Sequence, residues 1–252
     1  GLFAAMDQPT INGVNTYFVA RAAAGLGLKV ALSGLGGDEL FGGYDTFRQV
    51  PALVSGLGRI PGMRSLGRAL RPLAAPVARA FISPKAAGVL EYGTRYGDAY
   101  LLRRALFMPW ELPGILGGDM AAEGMAALRP LDRLERTQAP VDGARRKVAA
   151  LEMSWYMKNQ LLRDADWAGM AHSLEIRVPL VDWTLFRALA GRLGRPGGPD
   201  KQAMAAAPAT PLPDAILTRP KTGFTVPVGD WVGGSERGLR GWARRGYGEF
   251  TG

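Results

Sequence analysis

The run Ser33-Gly-Leu-Gly-Gly-Asp-Glu-Leu-Phe-Gly-Gly-Tyr44 constrains the fold more than any other stretch of the chain. It follows Lys29-Val-Ala-Leu-Ser33, which is short, apolar and flanked by glycines, and which predicts a buried strand of a parallel sheet. The glycines of 34–37 turn the chain, and Asp38 opens the next helix. Backbone N–H groups at such a helix start favour anions, phosphate above all. Glycine lets a ligand come close to the backbone. Asp38 then sets a carboxylate beside the anion, a pairing that suits Mg²⁺ bound jointly by carboxylate, water and phosphate. The same residues equally fit a tight strand-to-helix turn with Asp38 as its N-cap. The run is neither Gly-x-Gly-x-x-Gly nor Gly-x-x-x-x-Gly-Lys-Ser/Thr, so the dinucleotide and Walker readings fail.

Around that run, four stretches are distinguishable. Residues 1–50 alternate helix and strand: Val14, Tyr17, Phe18, Arg21 and Ala22 recur at helical spacing, and Gly25 is a stop. Residues 51–144 are poor in strand signals and punctuated by prolines from Pro51 to Pro140, which predicts short helices joined by loops, with variable surface within 56–118. In 145–192, Val148, Leu151, Trp155 and Leu162 form a helical stripe that should pack inward. From 193 on, a Gly/Pro-rich run precedes a helix around Lys201–Ala207, a Pro-rich segment and a loop carrying Lys221.

Composition removes several classes of function. There is no cysteine and one histidine, His172, which excludes disulfides, thiolate metal sites, a Cys nucleophile and a multi-His metal centre. No apolar run approaches the roughly 20 residues that span a bilayer. No signal peptide is visible, and the expected compartment is the cytoplasm, with no membrane partner. The net charge of +9 invites a nucleic-acid reading, but only six of the 31 basic residues are lysines and the arginines are dispersed from Arg21 to Arg245. With no RNA- or DNA-binding motif beside them, no nucleic-acid partner is expected. The start, Gly1-Leu-Phe-Ala-Ala-Met, reads as an internal cut from a longer polypeptide.

Three separated motifs resemble the asparagine synthetase family, in the family's order. They are Asp7-Gln-Pro through Asn15-Thr-Tyr-Phe to Tyr44, then Leu161-Leu-Arg-Asp-Ala-Asp-Trp-Ala-Gly-Met-Ala-His-Ser-Leu-Glu-Ile-Arg-Val-Pro-Leu-Val-Asp182, and finally Arg219-Pro-Lys-Thr-Gly-Phe with Pro227 and Trp231. The resemblance implies an α/β fold by ancestry, of the adenine nucleotide alpha hydrolase-like synthetase type. This chain would be mostly α-helical, with a short remnant of parallel sheet. Residues 1–252 would be a partial, carboxy-terminal piece of the synthetase domain: 1–50 the nucleotide-site α/β remnant, and 51–252 the mainly helical part. The implied chemistry is adenylation of a carboxylate by Mg-ATP, followed by displacement of AMP by ammonia from a glutaminase domain. The implied cofactors are ATP and Mg²⁺. Ser33, Gly34, Leu35, Gly36 and Gly37 would line the nucleotide site, Asp38 would hold Mg²⁺, and Lys221 would meet the α-phosphate. Glu39, Asp166 and Arg177 are substrate-side candidates.

Bland readings stand beside these assignments. Glu175, Arg177 and Asp182 also fit a structural ion-pair network locking two helices and a loop. His172 fits a hydrogen-bonded scaffold residue better than a base, and a triad with Ser33 has no support in spacing. Two departures from the family pattern matter. The pyrophosphate loop Ser-Gly-Gly-x-Asp-Ser and the Cys-bearing glutaminase domain do not occur in the chain, so in isolation it would be an incomplete catalyst. Leu35 stands where members often carry a glutamate that assists the nitrogen nucleophile, which leaves the acceptor open. The rival readings are a non-catalytic module keeping the synthetase fold, an amidotransferase acting on a cell-surface glycan or secondary metabolite, and, more weakly, a basic nucleic-acid binder. A remnant sheet exposes edge groups and apolar surface, which allows a homodimer.

Overall fold

The computed structural model describes residues 1–81, 83–195, 197–210, 212–217 and 238–251. The chain divides into two compact units, one of Gly1–Gly43 with Glu152–Gly252, the other of Tyr44–Leu151.

In the first unit, the helix Gly13–Gly25 ends at the predicted glycine and buries Val14, Tyr17 and Ala20. It packs on the helix Leu162–Met170. Met6, Val14, Tyr17, Trp167, Ala168 and Trp242 form one core cluster, the last contributed by the helix Gly238–Thr251. A second cluster gathers Leu40, Phe41 and Leu193 with Leu185, Phe186 and Met204.

The strand predicted at 29–33 is present as β1, Val30–Leu32. It pairs in parallel with β2, Glu175–Arg177, in the register Val30↔Glu175, Ala31↔Ile176, Leu32↔Arg177. The fold is therefore mostly helical with a short parallel sheet, as the resemblance implies. The strand is not buried, however: Leu32 is 76% exposed, and Leu28 and Val30 are exposed beside it. A parallel strand is buried when helices cover both faces of a wider sheet. Here two strands make up the sheet among the described residues.

The helix Ala144–Leu151 buries Val148 and Leu151 as the predicted stripe requires. The stripe then loses its register, because Glu152–Leu161 is wound as a π-helix. Its wider turn shifts every following residue relative to the α-period, and Trp155 is only half-buried.

The second unit holds the short helices that prolines predict, but the prolines mostly start them. Pro84, Pro109, Pro113 and Pro130 each stand at a helix N-terminus, where the missing N–H has no intrahelical partner to lose. The exception corrects the expectation of loops in this stretch: Met63–Phe81 is a 19-residue helix with Pro72 and Pro76 inside it. Both prolines lie on its exposed side, so water can reach the carbonyls they orphan. This helix is fixed by two buried carboxylates. Arg68 and Arg71 pair with Glu91 at 3.1 and 2.8 Å, and Arg64 pairs with Asp98 at 2.6 Å. Tyr92, Leu102 and Met108 form the core beneath, with Leu53, Trp110 and Leu131. Burial pushes Asp98 up to about 6 even with Arg64 beside it.

Candidate functional site

The turn after β1 forms as its sequence predicts. The Ser33 N–H donates to the Arg177 carbonyl at 2.8 Å, so the pairing with β2 holds the turn's first residue. The Ser33 hydroxyl accepts from the Leu35 N–H at 3.4 Å. Gly36 adopts φ 92, in the left-handed region, and a side chain there would press on Val181 and the Leu180 backbone. Gly36 is thus required by conformation and by the approach of the 180–181 segment.

The helix that follows is Gly37–Phe41, capped by Gly36. It is five residues long, and the Gly37 N–H is bonded to the Gly34 carbonyl at 3.2 Å. The expected anion-binding dipole is therefore small, since a macrodipole is the sum over aligned peptides. Asp38 is not the N-cap. It is the second helical residue, and its carboxylate forms an ion pair with the Lys201 ammonium. Gly43 closes this arrangement. Its N–H donates to the Asp38 carbonyl at 2.9 Å, and a Cβ there would run into the Asp38 carboxylate and the Lys201 side chain.

Lys201 was legible in the sequence only as the start of a helix. That helix, Lys201–Ala205, is capped by Asp200, whose carboxylate accepts from the Ala203 N–H at 2.9 Å. The cap fixes the helix start and hence the point from which Lys201 reaches Asp38. The pair is half-open: the Lys201 side chain is 44% exposed and that of Asp38 is 23% exposed.

The substrate-side candidates are placed differently. Glu39 is fully buried in the short helix. Asp166 is exposed on Leu162–Met170. Arg177 lies on β2, joined to Ser33 through its carbonyl, with its guanidinium paired to Glu175 at 2.9 Å. That pair holds the Glu175 carboxyl below its usual range. Both side chains are exposed, so this is no buried lock, and Asp182 does not join it. Asp182 instead caps the helix Trp183–Ala190, accepting from the Leu185 N–H at 2.7 Å. Three charges close in sequence thus serve two local purposes rather than one network. His172 also differs from the hydrogen-bonded scaffold residue expected. Its ring meets Tyr17 edge-on at 4.4 Å, and its buried Nε2 has no hydrogen-bond partner among the described residues. Lys221, with its loop, lies outside the described residues.

A second polar constellation, unpredicted, joins Gly13–Gly25 to Leu162–Met170. The buried Asp164 carboxylate accepts from the Thr10 hydroxyl at 2.7 Å and from the Trp167 indole N–H at 3.1 Å. The Thr10 carbonyl accepts from Trp242 Nε1 at 2.9 Å. Gly13 is required here, because any Cβ would strike Trp167, Thr10 and Asp164. Burial pushes Asp164 up to about 6, with the two hydrogen bonds pulling the other way. The signal available in the sequence was Thr10 and Asp164 standing beside two family-like motifs, but nothing local pairs residues 154 positions apart.

Among the described residues, no group of three or more His, Cys, Asp or Glu side chains could hold a metal alone. Asp38 is the carboxylate the turn presents. A single carboxylate fits Mg²⁺ that takes its remaining ligands from phosphate and water, and does not fit an all-protein cage.

The sequence profile of the asparagine synthase family matches residues 2–248. A Mycobacterium bovis protein, named provisionally as a glutamine-hydrolysing asparagine synthetase, is 32% identical over 244 residues, covering 92% of this chain. A Mycobacterium tuberculosis protein of the same name matches equally. Asparagine synthetase 1 of Bacillus subtilis, also named as glutamine-hydrolysing, is 29% identical over 232 residues, covering 90% of the chain. The chain spans 35% of the length of these curated relatives. No solved structure matches.

Proposed function

Because the chain belongs to the asparagine synthase family, we propose that it forms part of the adenylating site of an ATP-dependent, AMP-forming ligase that amidates a carboxylate. The nitrogen would be ammonia released from glutamine elsewhere in the whole protein, as the names of the relatives suggest. The substrate would be aspartate or a related carboxylate, with Leu35 leaving room for another acceptor.

The observation that carries this reading is the half-open Asp38–Lys201 pair on a glycine turn at the end of a parallel strand. An acid and an ammonium held there present opposite charges to a polyphosphate and its counter-ion. Asp38 would supply the carboxylate for Mg²⁺, which when bound neutralises phosphate charge and orients the leaving pyrophosphate. Lys201 would keep Asp38 paired when no nucleotide is present and would lie within reach of a phosphate oxygen when one is. Ser33 and Gly34–Gly37 would bring the backbone close to the nucleotide. Lys221, in the sequence Pro220-Lys-Thr-Gly223, would add a compact cation for charge building on the α-phosphate.

The test is product analysis of the full-length protein with ATP, glutamine or ammonium, and a panel of carboxylates. AMP and pyrophosphate appearing together with one carboxylate support the reading. ADP and phosphate, or no carboxylate-dependent turnover at all, overturn it. A second reading also has an observation behind it: the Asp38–Lys201 pair ties the helix Lys201–Ala205 to the turn and would serve a non-catalytic module equally well. On that reading, Lys201→Met lowers the melting temperature and leaves catalysis unaffected at temperatures where the variant is folded.

A further inference from the structure

The short helix Gly37–Phe41 is followed by two glycines that answer different demands. Gly42 adopts φ 71, in the left-handed region. The N–H groups of Gly42 and Gly43 both donate to the Asp38 carbonyl, that of Gly43 at 2.9 Å. The Gly43 bond is the 6→1 bond of a Schellman turn, with Gly42 at the left-handed position. Gly42 thus meets a demand of the backbone. Gly43 does not: its φ lies outside the left-handed region, so a side chain there brings no backbone strain.

What Gly43 supplies is space. A Schellman turn lays its last residue over the residue whose carbonyl it caps, and an apolar contact between the two is common. Here the capped residue is Asp38, and a Cβ at position 43 would run into the Asp38 carboxylate and Lys201 Cε. Those atoms belong to side chains, not to backbone. Both side chains can turn about their own bonds, so a methyl group at 43 displaces the two charged groups and leaves the turn's main-chain bonds in place. The half-open Asp38–Lys201 pair stands where it does because position 43 carries no side chain.

We propose that Gly43 is a positioning residue for the Asp38 carboxylate: by keeping the space over Asp38 clear, it lets that carboxylate turn from Lys201 toward a divalent cation. This rests on the reading of Asp38 as the residue that would hold Mg²⁺ at a nucleotide site. Gly43 acts through Asp38 and supplies no ligand of its own. The two glycines then separate in their effects: replacing Gly42 disturbs folding, and replacing Gly43 disturbs cation binding.

Mn²⁺ accepts the same carboxylate and water ligands as Mg²⁺. Its binding to the full-length protein, in the presence of the α,β-methylene analogue of ATP, tests the proposal without turnover. Electron paramagnetic resonance of the free Mn²⁺ gives the dissociation constant, and thermal melts are recorded on the same proteins. Gly43→Ala should melt close to wild type and bind Mn²⁺ about ten- to a hundredfold more weakly, the range typical when the group orienting a metal ligand is altered. Gly42→Ala, strained by its left-handed backbone, should melt lower and sets the scale for a folding defect. Asp38→Asn should bind Mn²⁺ weakly and sets the scale for loss of the ligand. If Gly43→Ala binds Mn²⁺ as wild type does while Asp38→Asn does not, the positioning role is overturned and the reading of Asp38 stands. If Asp38→Asn also binds as wild type, that reading fails and the proposal fails with it. A Gly43→Ala protein that melts as low as Gly42→Ala, or that does not fold, makes position 43 structural and likewise overturns the proposal.

Discussion

Two carboxylates on the same unit show how one chemical group is put to different uses. Asp164 is enclosed: it is 1% exposed and satisfied by Thr10 and Trp167, with Gly13 tight against it. Asp38 sits at the end of a glycine turn, half-open to solvent, with a flexible ammonium as its partner. The partners of Asp164 are neutral donors fixed by helix packing, so removing its charge costs little and removing its shape costs much. The partner of Asp38 is a charge on a four-carbon stem, which can be exchanged for another cation. Enclosure with neutral donors marks a structural joint; openness with an exchangeable cation marks a place where a charged ligand can enter.

The largest effect is expected at Lys221, which lies outside the described residues and which the proposed function assigns to the α-phosphate. Lys221→Ala in the full-length protein should lose turnover by roughly a hundred- to thousand-fold, which is typical for one donor to developing charge, and should melt as wild type. Turnover within about threefold of wild type would remove Lys221 from the site.

The closed region should answer in stability instead. Asp164→Ala leaves the Thr10 hydroxyl and the Trp167 indole N–H without their acceptor and opens a small cavity. A loss of about 2–4 kcal/mol is expected, read as a lower melting midpoint by roughly 5–10 °C. A melt within a degree of wild type would show that the Thr10–Asp164–Trp167 joint carries no strain-bearing role.

Asp164→Asn sharpens the same point by pH. The folded-state value of about 6 lies above the ordinary 3.8, so the native state holds the proton more tightly than the unfolded chain. The stability this contributes is present below about pH 4 and lost as pH rises through about 6. Asparagine keeps the shape and one acceptor and does not titrate. Relative to the variant, wild type should therefore lose on the order of 2–3 kcal/mol between pH 4 and 7. Parallel stability curves for the two proteins across that range would contradict the burial of a titrating carboxylate there. The smallest effect is expected at the exposed Glu175–Arg177 pair, where Glu175→Gln should leave the melt unchanged.

What the sequence made legible was local. The helix ending at Gly25, the strand before Ser33 and the glycine turn all follow from period and backbone freedom within a few residues. What it hid was long-range or irregular. β2 is three residues of Glu-Ile-Arg with no strand signature of its own, and it becomes a strand only because Val30–Leu32 lies beside it. Lys201 and Asp38 meet through the packing of Leu40, Phe41 and Met204, which no spacing rule encodes. The prolines of Met63–Phe81 suggested loops because the rule against proline in a helix assumes that the freed carbonyls are buried, and here they are not.

The central claim is that the open carboxylate is chemical and the enclosed one structural. Pyrophosphate exchange into ATP, measured side by side with thermal melts on full-length wild type, Asp38→Asn and Asp164→Asn, tests it most directly. The account predicts that Asp38→Asn melts near wild type and loses exchange before any nitrogen is supplied, while Asp164→Asn keeps exchange at temperatures where it is folded. Normal exchange in Asp38→Asn would contradict it and leave the Asp38–Lys201 pair as a tie between the helix and the turn.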